Sequence, residues 1–307
     1  MSGTYTDTGT KDGTTFRFWP TLWEIVRLPF ARFPALVRVS IVPFALFALA
    51  NWGMYELRFA VWSVDSATFD ERFDLFLITV LGVETLAYAL PLCLLPFAVQ
   101  WTRSIIHPDH SQALIPRLNR NDLHYGTRAA ILYLIYLIAF AMILLGSMFL
   151  YFVVQPIHFN AVAADATVTG LVAWHVMALV LAHAAGLFLV SGACLIVATA
   201  ASEHPLTLPQ SWALSSGVRS KTFTVLFLVT SPIAVGINLW RLSDLVIAYS
   251  YVDAEPEFLG AIITDIFELS AIFGTGLVLL QAIIITTAIG VIYRSLIVGK
   301  STVRVAV

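Results

Sequence analysis

The run "SEHPLTLPQSWALSSGVRSKTF", Ser202 to Phe223, is the most polar stretch in the second half of an otherwise apolar chain. Within it "TLPQ", Thr207 to Gln210, fits a capping box: a threonine side chain caps a helix and a glutamine three residues on reaches back. Arg219 and Lys221 stand near its end, and an apolar wall follows them. The run therefore predicts a short capped basic helix on a membrane surface, re-entering the bilayer after Arg219.

The composition around it agrees. The chain has 307 residues, 59% hydrophobic and 12% charged, with a mean hydropathy of +0.86. Soluble domains are roughly 45–50% apolar and about 25% charged. This balance is that of a polytopic membrane protein. The net charge of −2 selects no partner, and no basic patch with interleaved aromatics points to nucleic acid. Cys93 and Cys194 sit in apolar runs without metal or redox spacing, and read as small buried hydrophobes. Residues 1–15 are rich in Thr, Gly, Ser and Asp and lack a signal-peptide pattern, so 1–18 reads as a disordered cytoplasmic tail.

Six apolar stretches reach the ~20 residues that a bilayer crossing needs. Their approximate limits are 36–55, 75–99, 129–154, 170–200, 222–248 and 262–293. Basic residues set their direction, because Lys and Arg are retained on the cytoplasmic side. The N-terminal segment, the second and fourth loops and the C-terminus hold most of them. The first, third and fifth loops carry acids, among them Glu56, Asp70, Asp165 and Asp253. The expected fold is an all-α polytopic bundle of six transmembrane helices with both termini in the cytoplasm.

Arg38, Arg128 and Arg219 stand 90 and 91 residues apart, each at the entry to a span. "TLWE", Thr21 to Glu24, has the capping-box form of "TLPQ". Two returning spans end alike, in "WTRSII" (Trp101 to Ile106) and "YRSLIV" (Tyr293 to Val298), and the middle one does not. These features suggest three units within a single domain over 19–307, at 19–105, 106–204 and 205–299. Each would be a short cytoplasmic interfacial helix followed by a transmembrane hairpin. In the first such helix Leu22, Ile25, Val26, Phe30 and Phe33 project to one side, with Glu24, Arg27 and Ala31 opposite. Arg27, Arg32, Arg38, Arg128, Arg219 and Lys221 form the expected basic surface at the headgroups.

The stretch "ATAASEHPLTLPQSWALSSGVRSKTF" resembles a segment of the membrane domain joined to some bacterial glycerophosphodiester phosphodiesterases, and of its stand-alone multi-pass relatives. The matching positions are Glu203, Pro205, Leu206, Thr207, Leu208, Trp212, Gly217 and Arg219. The proline often found at the end of the preceding span is missing. The resemblance implies a fold and a membrane location but no activity, since no phosphodiesterase domain accompanies it.

Ionisable and amide groups inside spans are candidates for function, because a bilayer makes them costly. Glu84, His175, His183, Asn238, Arg241 and Glu268 are expected to form a polar cluster toward the outer leaflet, where Asp265 also lies. That cluster would suit a cation, a proton or a lipid headgroup. His175 shares a stripe with Ala178, Ala182 and Gly186, a small-residue ladder that lets another helix approach. No HExxH, cysteine cluster, P-loop, GxSxG or GxGxxG occurs, so neither a metal nor another cofactor is expected. The reading is a non-enzymatic integral membrane protein serving in membrane organisation or as a partner subunit, alone or as a homo-oligomer. The alternative is a carrier of a small solute, ion or lipid through the polar cluster.

Overall fold

The computed structural model describes residues 16–62, 89–107, 120–158, 164–200, 207–250 and 256–304, with Gly82 and Leu86 besides. The described residues form an all-α membrane bundle without a strand. Its helices are α1 (Phe18–Ala31), α2 (Phe33–Trp62), α3 (Leu95–Ile106), α4 (Arg120–His158), α5 (Ala164–Ser191), α6 (Leu195–Ala200), α7 (Leu208–Ser216), α8 (Arg219–Ser250) and α9 (Pro256–Arg304). Five windows are long and apolar enough to cross a membrane: Phe33–Met54, Leu123–Ser147, Ala173–Ser191, Arg219–Leu239 and Ile272–Leu296. A shorter apolar helix, Leu90–Ile106, occupies the end of the expected second span.

Two expected spans are interrupted. Pro91 and Pro96 lack the N–H that an unbroken α-ladder requires, and 90–94 is a 3-10 turn before α3 begins with Pro96 at its second position. The helix then runs on past the expected limit at 99. Trp101, Thr102, Ser104 and Ile105 are buried in the bundle rather than lying in a loop. The stretch 170–200, expected to be one span, breaks at 192–194 between α5 and α6, with all of 191–199 buried.

The second break explains the polar run that follows it. Irregular backbone at membrane depth survives only where the protein itself satisfies the freed groups. Ser215 Oγ of α7 donates to the Gly192 carbonyl at 2.7 Å, and Cys194 Sγ to that of Ser191 at 3.2 Å. The Phe188 carbonyl accepts from Ser191 Oγ at 2.9 Å and from Arg219 Nη2 at 3.0 Å. A Cβ at Gly192 would stand 3.0 Å from the Trp212 ring, so glycine lets α7 lie against the break. Thr207 is the N-cap of α7, and Gln210 Oε1 accepts its backbone N–H at 2.9 Å, as the capping box predicts. Ser211 and Ser215 are fully buried, so α7 is a docked plug as well as a surface helix.

The first short helix departs from expectation in three ways. "TLWE" is not its start, because α1 begins at Phe18 and Thr21 lies buried inside it. Its apolar residues divide between two opposite faces. Ile25 and Leu28 pack into the bundle beside Thr21, while Trp19, Trp23, Val26 and Phe30 are exposed; Phe33, expected on this helix, is exposed at the start of α2. Glu24, placed on the outward polar face by the sequence, turns inward and forms an ion pair with Arg294 of α9. Arg294 Nη1 also reaches the Ile105 carbonyl at 3.5 Å, and Arg32 Nη1 donates to the Ser104 carbonyl at 2.7 Å. α1 is thereby fixed to the ends of α3 and α9.

The largest core gathers at this same end of the bundle. It joins Ile25 and Leu28 of α1, Phe97 and Trp101 of α3, Leu195 of α6, Val225 of α8 and Ile292 of α9. A smaller cluster packs Val99 and Tyr125 against Ile196 and Val197, bringing α3, α4 and α6 together. Cys194 is buried as expected, whereas Cys93 is exposed.

Candidate functional site

Among the expected site residues whose side chains are described, His183 is the one set in a complete hydrogen-bonded network. It is 2% exposed on α5. Its Nδ1 lies 2.7 Å from the Tyr136 hydroxyl of α4, and its Nε2 lies 2.9 Å from Thr230 Oγ1 of α8. Thr230 spends its single hydroxyl hydrogen on the Leu226 carbonyl, 2.7 Å away, and therefore accepts from the imidazole. In the Nε2–H tautomer each hydrogen of this chain has an acceptor: Tyr136 to His183, His183 to Thr230, Thr230 to Leu226. Three helices are joined through one ring.

Close packing holds the ring in place. The Tyr136 ring meets the imidazole edge-on, with centroids 5.8 Å apart, and stacks on Phe140 at 5.9 Å. Phe227 of α8 lies 6.3 Å from the imidazole centroid. The small-residue ladder performs as its spacing implied. Ala178 and Ala182 are buried, and a Cβ at Gly186 would come within 2.6 Å of the Tyr136 ring. Packing density here leaves the α4–α5 contact no slack.

Other hydroxyls close similar contacts elsewhere in the bundle. Trp101 Nε1 donates to Thr287 Oγ1 at 2.8 Å, and Thr287 in turn donates to the Ile283 carbonyl at 2.6 Å. Asn51 Nδ2 donates to Thr275 Oγ1 at 2.7 Å, joining α2 to α9. Thr102 Oγ1 and the Tyr125 hydroxyl meet at 3.1 Å between α3 and α4. None of these residues carries a charge, and of them only Asn51, an amide inside the expected span 36–55, is of the residue types that marked the candidates. Their signal in the sequence is weaker: a hydroxyl or indole N–H inside an apolar run, which must find an acceptor.

The remaining site residues do not join this network in the described structure. His175 lies on α5 eight residues before His183, about 12 Å along the helix axis. Asn238 donates to the Ala234 carbonyl of its own helix at 2.7 Å. Arg241 belongs to α8 and Glu268 to α9, but their side chains lie outside the described ones, and Glu84 lies outside the described residues altogether. Among the described residues, no three His, Cys, Asp or Glu side chains gather as metal ligands would.

The expected basic surface is divided. Arg27, Arg38 and Lys221 are exposed, while Arg32 and Arg219 bond to backbone carbonyls of other helices. Nη1 of Arg128 is buried with no acceptor among the described residues. No protein family, curated protein or solved structure matches this chain.

Proposed function

We propose that this chain is a multi-pass protein of a bacterial inner membrane, with both termini cytoplasmic, that catalyses no reaction and serves in membrane organisation or as a partner subunit. The observation behind this reading is the His183 network. A side chain that carried protons or ions across the bundle would keep a face for its cargo, and both nitrogens of this imidazole are engaged by protein. The resemblance to stand-alone relatives of the phosphodiesterase membrane domain supports the bacterial membrane location and bears on no activity. The carrier reading draws on the two interrupted helices, since transporters place broken helices at their binding sites. Here, however, side chains of the protein take carbonyls at and just before the break, those of Phe188, Ser191 and Gly192.

Proteoliposomes distinguish the two. Purified protein reconstituted around a trapped pH-sensitive dye is expected to leave an imposed proton or sodium gradient decaying at the protein-free rate. Decay accelerated by wild-type protein and restored to the protein-free rate by His183→Leu would establish the carrier instead.

Orientation has its own test. In a background lacking Cys93 and Cys194, single cysteines at Asp70, Asp165 and Asp253 are expected to react with an impermeant maleimide on cells with permeabilised outer membranes. Cysteines at Ser111 and Ser216 are expected to stay unlabelled until the inner membrane is opened. The reverse pattern would invert the topology.

A further inference from the structure

We infer that the corner between α7 and α8 is a seat for the phosphate of an anionic phospholipid headgroup. The key group is Arg219. Its guanidinium carbon lies 4.4 Å from the ring centroid of Phe188 and 4.4 Å from that of Trp212. The two rings hold the cation's plane by cation–π attraction, and the Nη2 bond to the Phe188 carbonyl sets its direction.

This cation is ordered, yet its charge is not answered. A guanidinium has five N–H donors. Among the described residues one acceptor serves Arg219, no carboxylate pairs with it, and its Nε is buried without a partner. Arg294, also half-buried, has Glu24 as its ion-pair partner, a counter-charge that Arg219 lacks among the described residues. Holding a cation against two aromatic faces with no counter-charge is the arrangement expected where an anion arrives from outside the chain. Lys221 is exposed two residues on, about 200° around α8 and outside the seat itself, and its charge at the same depth adds to the positive field that favours a net negative lipid over a zwitterionic one.

The apolar surroundings identify the source of that phosphate. Trp212, beside the cation, is exposed, as is Leu208 one turn before it on α7, and Phe188 is half exposed. Free phosphate in water has no use for such walls, whereas the glycerol and upper acyl carbons of a lipid do. Indole rings also settle at headgroup depth. Arg219 opens the apolar window Arg219–Leu239, so it stands at the level where headgroups lie.

The seat rests on the reading of the chain as a membrane protein and not on its organisational role, which the gradient assay tests separately. The experiment uses full-length protein in a neutral detergent, with thermal unfolding followed by size-exclusion recovery. Dioleoylphosphatidylglycerol is expected to raise the midpoint by about 2–4 °C. Dioleoylphosphatidylcholine and inorganic phosphate at the same concentrations are expected to give less than half of that rise. Arg219→Lys keeps the charge but loses the planar stacking, and should forfeit at least half of the lipid-dependent rise. Because the increment is read against each variant's own lipid-free midpoint, a lower starting stability does not obscure it. Lys221→Gln, on the exposed side, provides a second variant expected to narrow the gap between the two lipids. Full retention of the phosphatidylglycerol increment in Arg219→Lys, or its reproduction by inorganic phosphate alone, would overturn the assignment.

Discussion

Gly186→Leu is expected to leave little folded protein, and Gly186→Ala to lower stability by about 1–3 kcal/mol, the usual cost of overpacking a full core. A Cβ at this position would lie 2.6 and 2.8 Å from two carbons of the Tyr136 ring and 3.3 Å from the Tyr136 carbonyl oxygen. The ring has no easy retreat. Its hydroxyl is bonded to His183, and its faces lie against Tyr133 and Phe140. The backbone oxygen can move only with α4 itself. The substitution therefore pushes two helices apart and stretches the hydrogen bond that joins them. Gly146→Ala and Gly276→Ala are the matched controls, since a Cβ at either meets nothing within 4 Å. Both should be neutral or slightly stabilising, because alanine favours a helix over glycine. Unfolding in mixed micelles, followed by circular dichroism, gives the comparison. A Gly186→Ala midpoint equal to that of the controls would mean that α4 and α5 are not in this contact.

The second large effect falls on His183. His183→Leu fills a similar volume but removes both hydrogen bonds of the ring. The Tyr136 hydroxyl loses its acceptor in an apolar interior, and an unsatisfied group of that kind costs about 1–3 kcal/mol. Thr230 suffers less, because its own hydrogen still reaches the Leu226 carbonyl. Tyr136→Phe alone should cost about 0.6 kcal/mol and no more than about 1.7 kcal/mol, the average and upper value for an interhelical hydrogen bond in a membrane. In the double variant no hydroxyl is left stranded, so its loss of stability should fall short of the sum of the single losses. Additive losses would show that the two side chains are not coupled.

How far the fold could be read in advance depended on which solvent each residue faces. The spans were legible because long apolar runs have few alternatives in a chain this poor in charge. The capping box at Thr207 was legible because it is local, written entirely in four consecutive residues. The ladder Ala178, Ala182 and Gly186 was legible as a contact surface, but not the identity of Tyr136 opposite it. α1 shows where reading stopped. Hydropathy cannot separate an apolar residue that faces lipid from one that faces protein, since lipid tails are as apolar as leucine. Ile25 and Phe30 look alike in the sequence, yet one is fully buried and the other 76% exposed. Glu24 turned inward for a partner 270 residues away, which no spacing rule could supply. Of the candidate site residues whose side chains are described, His183 was the legible one. Its partners are uncharged, each 47 residues distant, and ordinary in composition.

The pairing of Glu24 with Arg294 also sets a timetable. A ribosome adds roughly 5–20 residues per second, so the 270 residues between these partners take roughly 15–50 s to make. Through most of that interval the nascent first helix has only part of its docking site, the end of α3 and core residues of α6 and α8. Its outward tryptophans and phenylalanines give it a place to wait on the surface of the bilayer. Its inner face, with Ile25 and Leu28, closes only when the last helix arrives. Assembly of this chain therefore ends where synthesis began, and a ribosome stalled before Arg294 would hold a bundle whose first segment is still unlatched.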